Sequence, residues 1–122
     1  MRWLLHGPMT SAVADALVRH GQQVQTLAEL DLSAVAAPQE VLELARSRQL
    51  DIVTTDANLS AAPFALDFWY TRVIVYLQLE GSEIEQDDAV DRLFTRYKRL
   101  TPGRLYTVTE TRVKVRQLPS KH

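Results

Sequence analysis

Leu50-Asp51-Ile52-Val53-Thr54-Thr55-Asp56 decides the fold class of this 122-residue chain. A short β-branched run ending in a carboxylate is how an open α/β sheet presents an acid at the carboxyl edge of its strands, where ligands of such sheets sit. Working outward, Arg2-Trp3-Leu4-Leu5 predicts a first strand that delivers His6-Gly7-Pro8 to the same edge. Val13, Ala16, Leu17 and His20 recur at helical spacing and predict a helix from Ser11 to His20. Gly21 follows as a left-handed terminator, and Gln23 to Leu27 alternates as a second short strand. Pro38 suits the first turn of a helix in which Val41, Leu44 and Ala45 face inward.

Beyond Asp56, Pro63 interrupts an apolar stretch with Phe64, Leu66, Phe68 and Trp69, so Ala57 to Tyr70 reads as a short helix with a kink, or as a loop. Arg72 to Leu77 is a near-continuous buried strand, expected at the centre of the sheet. A helix from Glu85 to Leu100 carries the apolar stripe Ala89, Val90, Leu93, Phe94, Tyr97 and Leu100, and Pro102-Gly103 stops it. Leu105 to Thr109 then pairs with Arg112 to Leu118 across a turn at Glu110-Thr111, Val113 and Val115 alternating with Lys114 and Arg116. The expectation is an α/β fold of three layers in one domain, residues 1–122: a mostly parallel sheet flanked by helices, with a C-terminal β-hairpin.

Hydrophobic residues at 46% and charged residues at 24% set disordered and fibrous classes aside. The absence of cysteine excludes a disulfide scaffold, a thiolate metal site and a cysteine nucleophile, and fits a reducing compartment. Arg2 and the three apolar residues after it are too short for a signal peptide, and no run approaches bilayer length, so a cytoplasmic protein without membrane contact is expected. The net charge of −1 conceals a division: up to Asp91 there are 14 acids against five Lys and Arg, a balance of −9, and after it one acid against nine, a balance of +8. Glu80, Glu83, Glu85, Asp87, Asp88 and Asp91 form the acidic run. Arg104, Arg112, Lys114 and Arg116 stand in the basic part and are candidate contacts to single-stranded RNA. The plainer account is that acids crowd a helix start and bases its end, as the helix dipole favours.

Three stretches resemble the PIN-like family, relatives of metal-dependent nucleases. Met1-Arg2-Trp3-Leu4-Leu5-His6 resembles its opening strand, Glu40-Val41-Leu42-Glu43-Leu44-Ala45 the helix after its second acid, and Asp51-Ile52-Val53-Thr54-Thr55-Asp56 its third strand. Gly103-Arg104-Leu105 to Arg116-Gln117-Leu118-Pro119 is similar to its final hairpin, so the likeness spans nearly the whole chain. The resemblance implies carboxylates at the strand ends that hold Mg²⁺ or Mn²⁺ for phosphodiester cleavage of RNA. Departures fall on those positions: His6 replaces the opening acid, Pro38 the acid before the second helix, and Asn58 the acid two residues after Asp56, which alone is retained.

One Asp with one Asn is a poor site for octahedral Mg²⁺, so no cofactor is expected and the implied chemistry is impaired, leaving a nucleic-acid- or protein-binding module. The alternative is an active, toxin-like ribonuclease, controlled by an antitoxin-like partner, in which His6, Asp56, Asn58 and Glu40 or Glu43 form a rearranged set suited to Mn²⁺ or Zn²⁺. Each residue also has a structural reading: His6 as a satisfied strand-end imidazole, Asp56 as a helix cap, Asn58 as a turn residue, and Glu40 and Glu43 as surface acids near a helix start. Asp51 to Leu59 also resembles the phosphoacceptor strand of receiver domains, but the acid pair and the lysine such a site needs are absent from His6-Gly7 and Tyr76-Leu77-Gln78. No serine has a nucleophile-elbow context, no glycine-rich phosphate loop exists, and His20 and His122 recruit no site.

Overall fold

Apolar runs bounded by polar turns become the strands of one sheet in the computed structural model, which describes residues 1–33, 36–79 and 83–119. The strands are β1 (Arg2–His6), β2 (Gln23–Thr26), β3 (Asp51–Thr54), β4 (Ile74–Leu77), β5 (Arg104–Val108) and β6 (Val113–Gln117), and the helices α1 (Ser11–Arg19), α2 (Pro38–Ser47), α3 (Ala57–Ala65) and α4 (Glu83–Arg96). The sheet order is β2-β1-β3-β4-β5-β6, parallel from β2 to β5 and antiparallel between β5 and β6. The three-layer α/β architecture with a terminal hairpin is therefore the one expected, and β4 is central. Because the chain leaves β1 for β2 on one side and returns to β3 on the other, the β1/β3 boundary is the switch point of the sheet.

Side-chain alternation divides the core in two. Trp3, Val53, Val75 and Tyr106 meet Val13 and Leu17 of α1 and Val90 and Leu93 of α4. On the other face Leu4, Ile52, Ile74 and Leu105 meet Val41 and Leu42 of α2 and Leu59 and Ala62 of α3. Several boundaries depart from expectation. β3 stops at Thr54, because Asp56 turns away to cap α3. Leu42 rather than Leu44 joins Val41 and Ala45 in the buried face of α2. α3 passes through Pro63, which has no amide to donate to the Leu59 carbonyl one turn back, and ends two residues later. α4 ends at Arg96, not Leu100, although Leu100 is buried in the core. Val115 is exposed on the edge strand β6, where Lys114 and Arg116 guard against edge-to-edge pairing. Gly21 is left-handed as expected, at φ +77°. Glu80 of the acidic run and His122 lie outside the described residues.

The placement of α4 is the unusual feature of the topology. β3 to β4 and β4 to β5 step in the same direction, yet α3 lies on one face and α4 on the other. Crossovers through α1, α2 and α3 thus share one hand, and the crossover through α4 has the opposite hand, against a strong preference for a single, right-handed sense. Polar bonds tie α4 to α1: Thr10 donates from its amide and its hydroxyl to Gln86 Oε1, at 2.9 and 3.0 Å. Arg19 pairs with Asp87 and Asp91, and His20 Nε2 lies 2.8 Å from Asp91 Oδ1 with its ring stacked on Phe94. The His20 bond, with Arg19 beside it, holds the Asp91 carboxyl below its usual range. Part of the acidic run is therefore spent on the α1–α4 contact. No helix of the described residues is long and apolar enough to cross a membrane.

Candidate functional site

At the switch point, His6 closes β1 and Thr54 closes β3, paired in register. His6 Nδ1 lies 2.8 Å from Thr54 Oγ1, and the same hydroxyl accepts the Asp56 amide at 2.9 Å. All three groups are satisfied when the Thr54 hydroxyl donates to a neutral imidazole, an assignment made from the bonding pattern. Thr55 completes the knot: its amide donates to the His6 carbonyl at 3.2 Å and its hydroxyl to the Pro8 carbonyl at 2.8 Å. Gly7, at φ +86°, lets the chain after β1 lie directly against Thr55.

The register extends this pair into a row across five strands. His6 aligns with Thr54, Thr54 with Tyr76, Tyr76 with Thr107, and Thr107 with Lys114. Alternation puts them all on the α2/α3 face, one step beyond the apolar row Leu4, Ile52, Ile74 and Leu105. His6 and Thr54 are buried, Tyr76 and Thr107 half-buried, and Lys114 exposed. The opening toward β6 follows from the topology, since a fourth crossover of the usual hand would have put α4 on this face. A cavity of about 600 Å³ opens at this edge, lined by Thr55, Tyr76, Gln78, Thr109 and Lys114 among others. Arg92 holds the adjoining turn through the Thr109 carbonyl, at 2.5 Å. Glu110 shares the lining with Lys114, so hydroxyls, an amide and one charge of each sign make the cavity polar without giving it a net charge.

The residues expected as metal ligands are differently occupied. Asp56 is the N-cap of α3, its Oδ1 accepting the Asn58 amide at 2.8 Å, and Asn58 is exposed in the first turn of that helix. Glu40 and Glu43 are exposed on α2, with Gln39 donating to Glu43 at 3.2 Å. Among the described residues no group of three or more His, Asp or Glu side chains converges where a metal ion could be held. Mg²⁺ is held by carboxylate and phosphate oxygens, and Asp56 already commits one of its two oxygens to the cap.

The four basic candidates separate. Arg112, Lys114 and Arg116 follow one another along the turn and β6, Arg116 laying its guanidinium 3.7 Å over the Phe64 ring. Arg104 starts β5 opposite Gln117, at the amino end of the sheet, and alternation turns it to the α1/α4 face.

Two predictions concern this knot. Asp56→Ala removes a cap and should lower stability by about 1 kcal/mol, whereas Asp56→Ser should recover most of it; urea unfolding checks both, and equal losses would show that the cap contributes nothing. Burial pushes the His6 imidazole below its usual value, with the Asp56 carboxylate opposing. The unfolded chain then binds the His6 proton more readily, so stability should fall as pH drops below about 6.5 and level off under the depressed folded value. Asp91 acts only at lower pH, within the carboxylate range. Unfolding midpoints at pH 7.5 and 5.5 should differ less in His6→Gln than in the unsubstituted chain; an unchanged difference would assign the acid loss elsewhere. Compared with known proteins, the chain matches no family model, and no curated protein or solved structure matches it significantly.

Proposed function

We propose that this chain is a PIN-like domain that has lost metal-dependent cleavage and acts as a non-catalytic module binding single-stranded RNA. The observation that carries the reading is the commitment of the two switch-point candidates: His6, in place of the opening acid, is engaged by Thr54, and Asp56, the one acid retained, caps α3. Groups that close the strand ends in this way are poor ligands for a cation that must also hold a substrate phosphate. The ligand class rests on the basic strip of Arg112, Lys114 and Arg116 beside an open polar cavity, none of the three being in an ion pair among the described residues.

The test combines calorimetric titration of Mn²⁺ with anisotropy of a labelled single-stranded RNA across salt concentrations. The expected result is no Mn²⁺ binding at millimolar concentration, and RNA binding without cleavage whose salt slope falls by about 2 when the three basic residues become Gln. Mn²⁺ binding abolished by Asp56→Ala, together with RNA cleavage, would replace this reading with that of an active nuclease. No RNA binding at low salt would end the nucleic-acid reading.

A further inference from the structure

We infer that the amino edge of the sheet is an anion-binding rim that continues the RNA path beyond β6, an inference that rests on the RNA-binding reading above. Arg2 begins β1, Arg72 precedes β4 by two residues, and Arg104 begins β5, so three of the four neighbouring parallel strands from β1 to β5 present a guanidinium where they start. The fourth, β3, starts with buried Asp51, which neutralises Arg72 alone. Hydrogen bonds gather the rim into two pairs, one on each side of β3. Arg2 donates to the Arg48 carbonyl at 3.0 Å, which brings Arg48 beside it, and the Gly103 amide donates to the Arg72 carbonyl at 3.0 Å, which sets Arg104 beside Arg72. From β1 to β5 the rim covers three strand spacings, about 14 Å.

Helix dipoles account for Arg48, the C-cap of α2, but not for Arg2, Arg72 and Arg104. They favour Arg19, Arg46 and Arg96 in the last turns of α1, α2 and α4, but strand starts carry no comparable dipole. Arg2, Arg48 and Arg104 are exposed and form no ion pair among the described residues. Aromatic surface at the same end selects nucleic acid over an acidic protein. Arg46 lies 4.3 Å over the Phe68 ring and donates to the Trp69 carbonyl, and Trp69 is 44% exposed. Rings beside guanidinium groups are what unpaired bases stack upon, whereas an acidic peptide gains little from them. The two regions meet at the end of β6, where Arg116 lies one residue from Gln117, the partner of Arg104, the two side chains leaving opposite faces of the same sheet edge.

The experiment compares two triple variants by RNA anisotropy against salt, with circular dichroism to confirm folding: Arg2→Gln/Arg48→Gln/Arg104→Gln for the rim, and Arg112→Gln/Lys114→Gln/Arg116→Gln for β6. The rim variant should reduce the salt slope by about 2, since each phosphate of a single strand that is no longer neutralised lowers it by roughly 0.7. Trp69→Ala should weaken binding about tenfold with the slope unchanged, the signature of stacking. If the rim variant misfolds, Arg104→Glu alone serves, and should reduce the slope by at least about 0.7. RNA binding that depends on β6 and ignores the rim would overturn this inference and leave the function standing; no RNA binding by the unsubstituted chain would overturn both.

Discussion

Asp51→Ala should destabilise the fold by about 3–4 kcal/mol, toward the low end of what removing one partner of a buried pair costs. Asp51 is fully buried at the start of β3, where its Oδ1 accepts the Val73 amide at 2.8 Å and its Oδ2 faces Arg72 at 3.2 Å. Alanine leaves the amide of buried Val73 without an acceptor, a cost of about 1–3 kcal/mol by itself. It also leaves the guanidinium of Arg72, whose Nε is already buried without a partner, with no counter-charge. Arg72 is 34% exposed and recovers some hydration, which is why the low end applies. Burial raises the Tyr70 hydroxyl above its usual value, with Asp51 adding to the shift, so it stays neutral and keeps donating to the Leu50 carbonyl. Asp51→Asn retains the acceptor for Val73 and should lose about half as much. Urea unfolding of Asp51→Ala, Arg72→Ala and the double variant should give a coupling of about 1–3 kcal/mol. Strict additivity would mean that the pair does not act as a unit.

Gly7→Ala should cost about 2–4 kcal/mol and disturb the candidate site as well as the fold. A left-handed backbone charges an L-residue about 1–2 kcal/mol. A methyl group here would also stand 2.6 Å from Thr55 Oγ1 and 3.3 Å from the Thr55 amide, so the strand ends must separate. Overpacking of this kind adds about 1–3 kcal/mol. Gly21 is the internal control: its φ of +77° is comparable, but nothing lies within 4 Å of the added carbon, so Gly21→Ala should show the backbone strain alone. Equal losses at the two positions would refute the close approach between Gly7 and Thr55. With the knot opened, the His6 contribution to acid sensitivity should shrink in Gly7→Ala, which unfolding at pH 7.5 and 5.5 measures.

Much of the candidate site was legible only residue by residue. His6 and Asp56 stand out because each is a polar residue at the end of an apolar strand, a pattern of local order. Thr54, Tyr76 and Thr107 were missed, although each is a hydroxyl residue near the carboxyl end of a predicted strand. Nothing in one strand reveals which residue of its neighbour lies opposite, and only that register joins these hydroxyls to His6 and Lys114. Arg104 stands with Lys114 and Arg116 by proximity in sequence, but hairpin pairing sets it opposite Gln117 and alternation turns it to the other face of the sheet.

The amino-acid sequence by itself determined the elements and the class of fold, because hydrophobic period, Pro38 at a helix start and Gly21 past a helix end act over a few residues. It also determined that three of the four carboxylates implied by the resemblance are absent. Tertiary structure decided the rest. The hand of the α4 crossover depends on contacts such as Thr10 with Gln86 and Arg19 with Asp87, 76 and 68 residues apart, which no local pattern encodes. That choice leaves the polar row open toward β6, and the alignment of the strand starts gathers Arg2, Arg72 and Arg104 from distant parts of the chain into one charged edge.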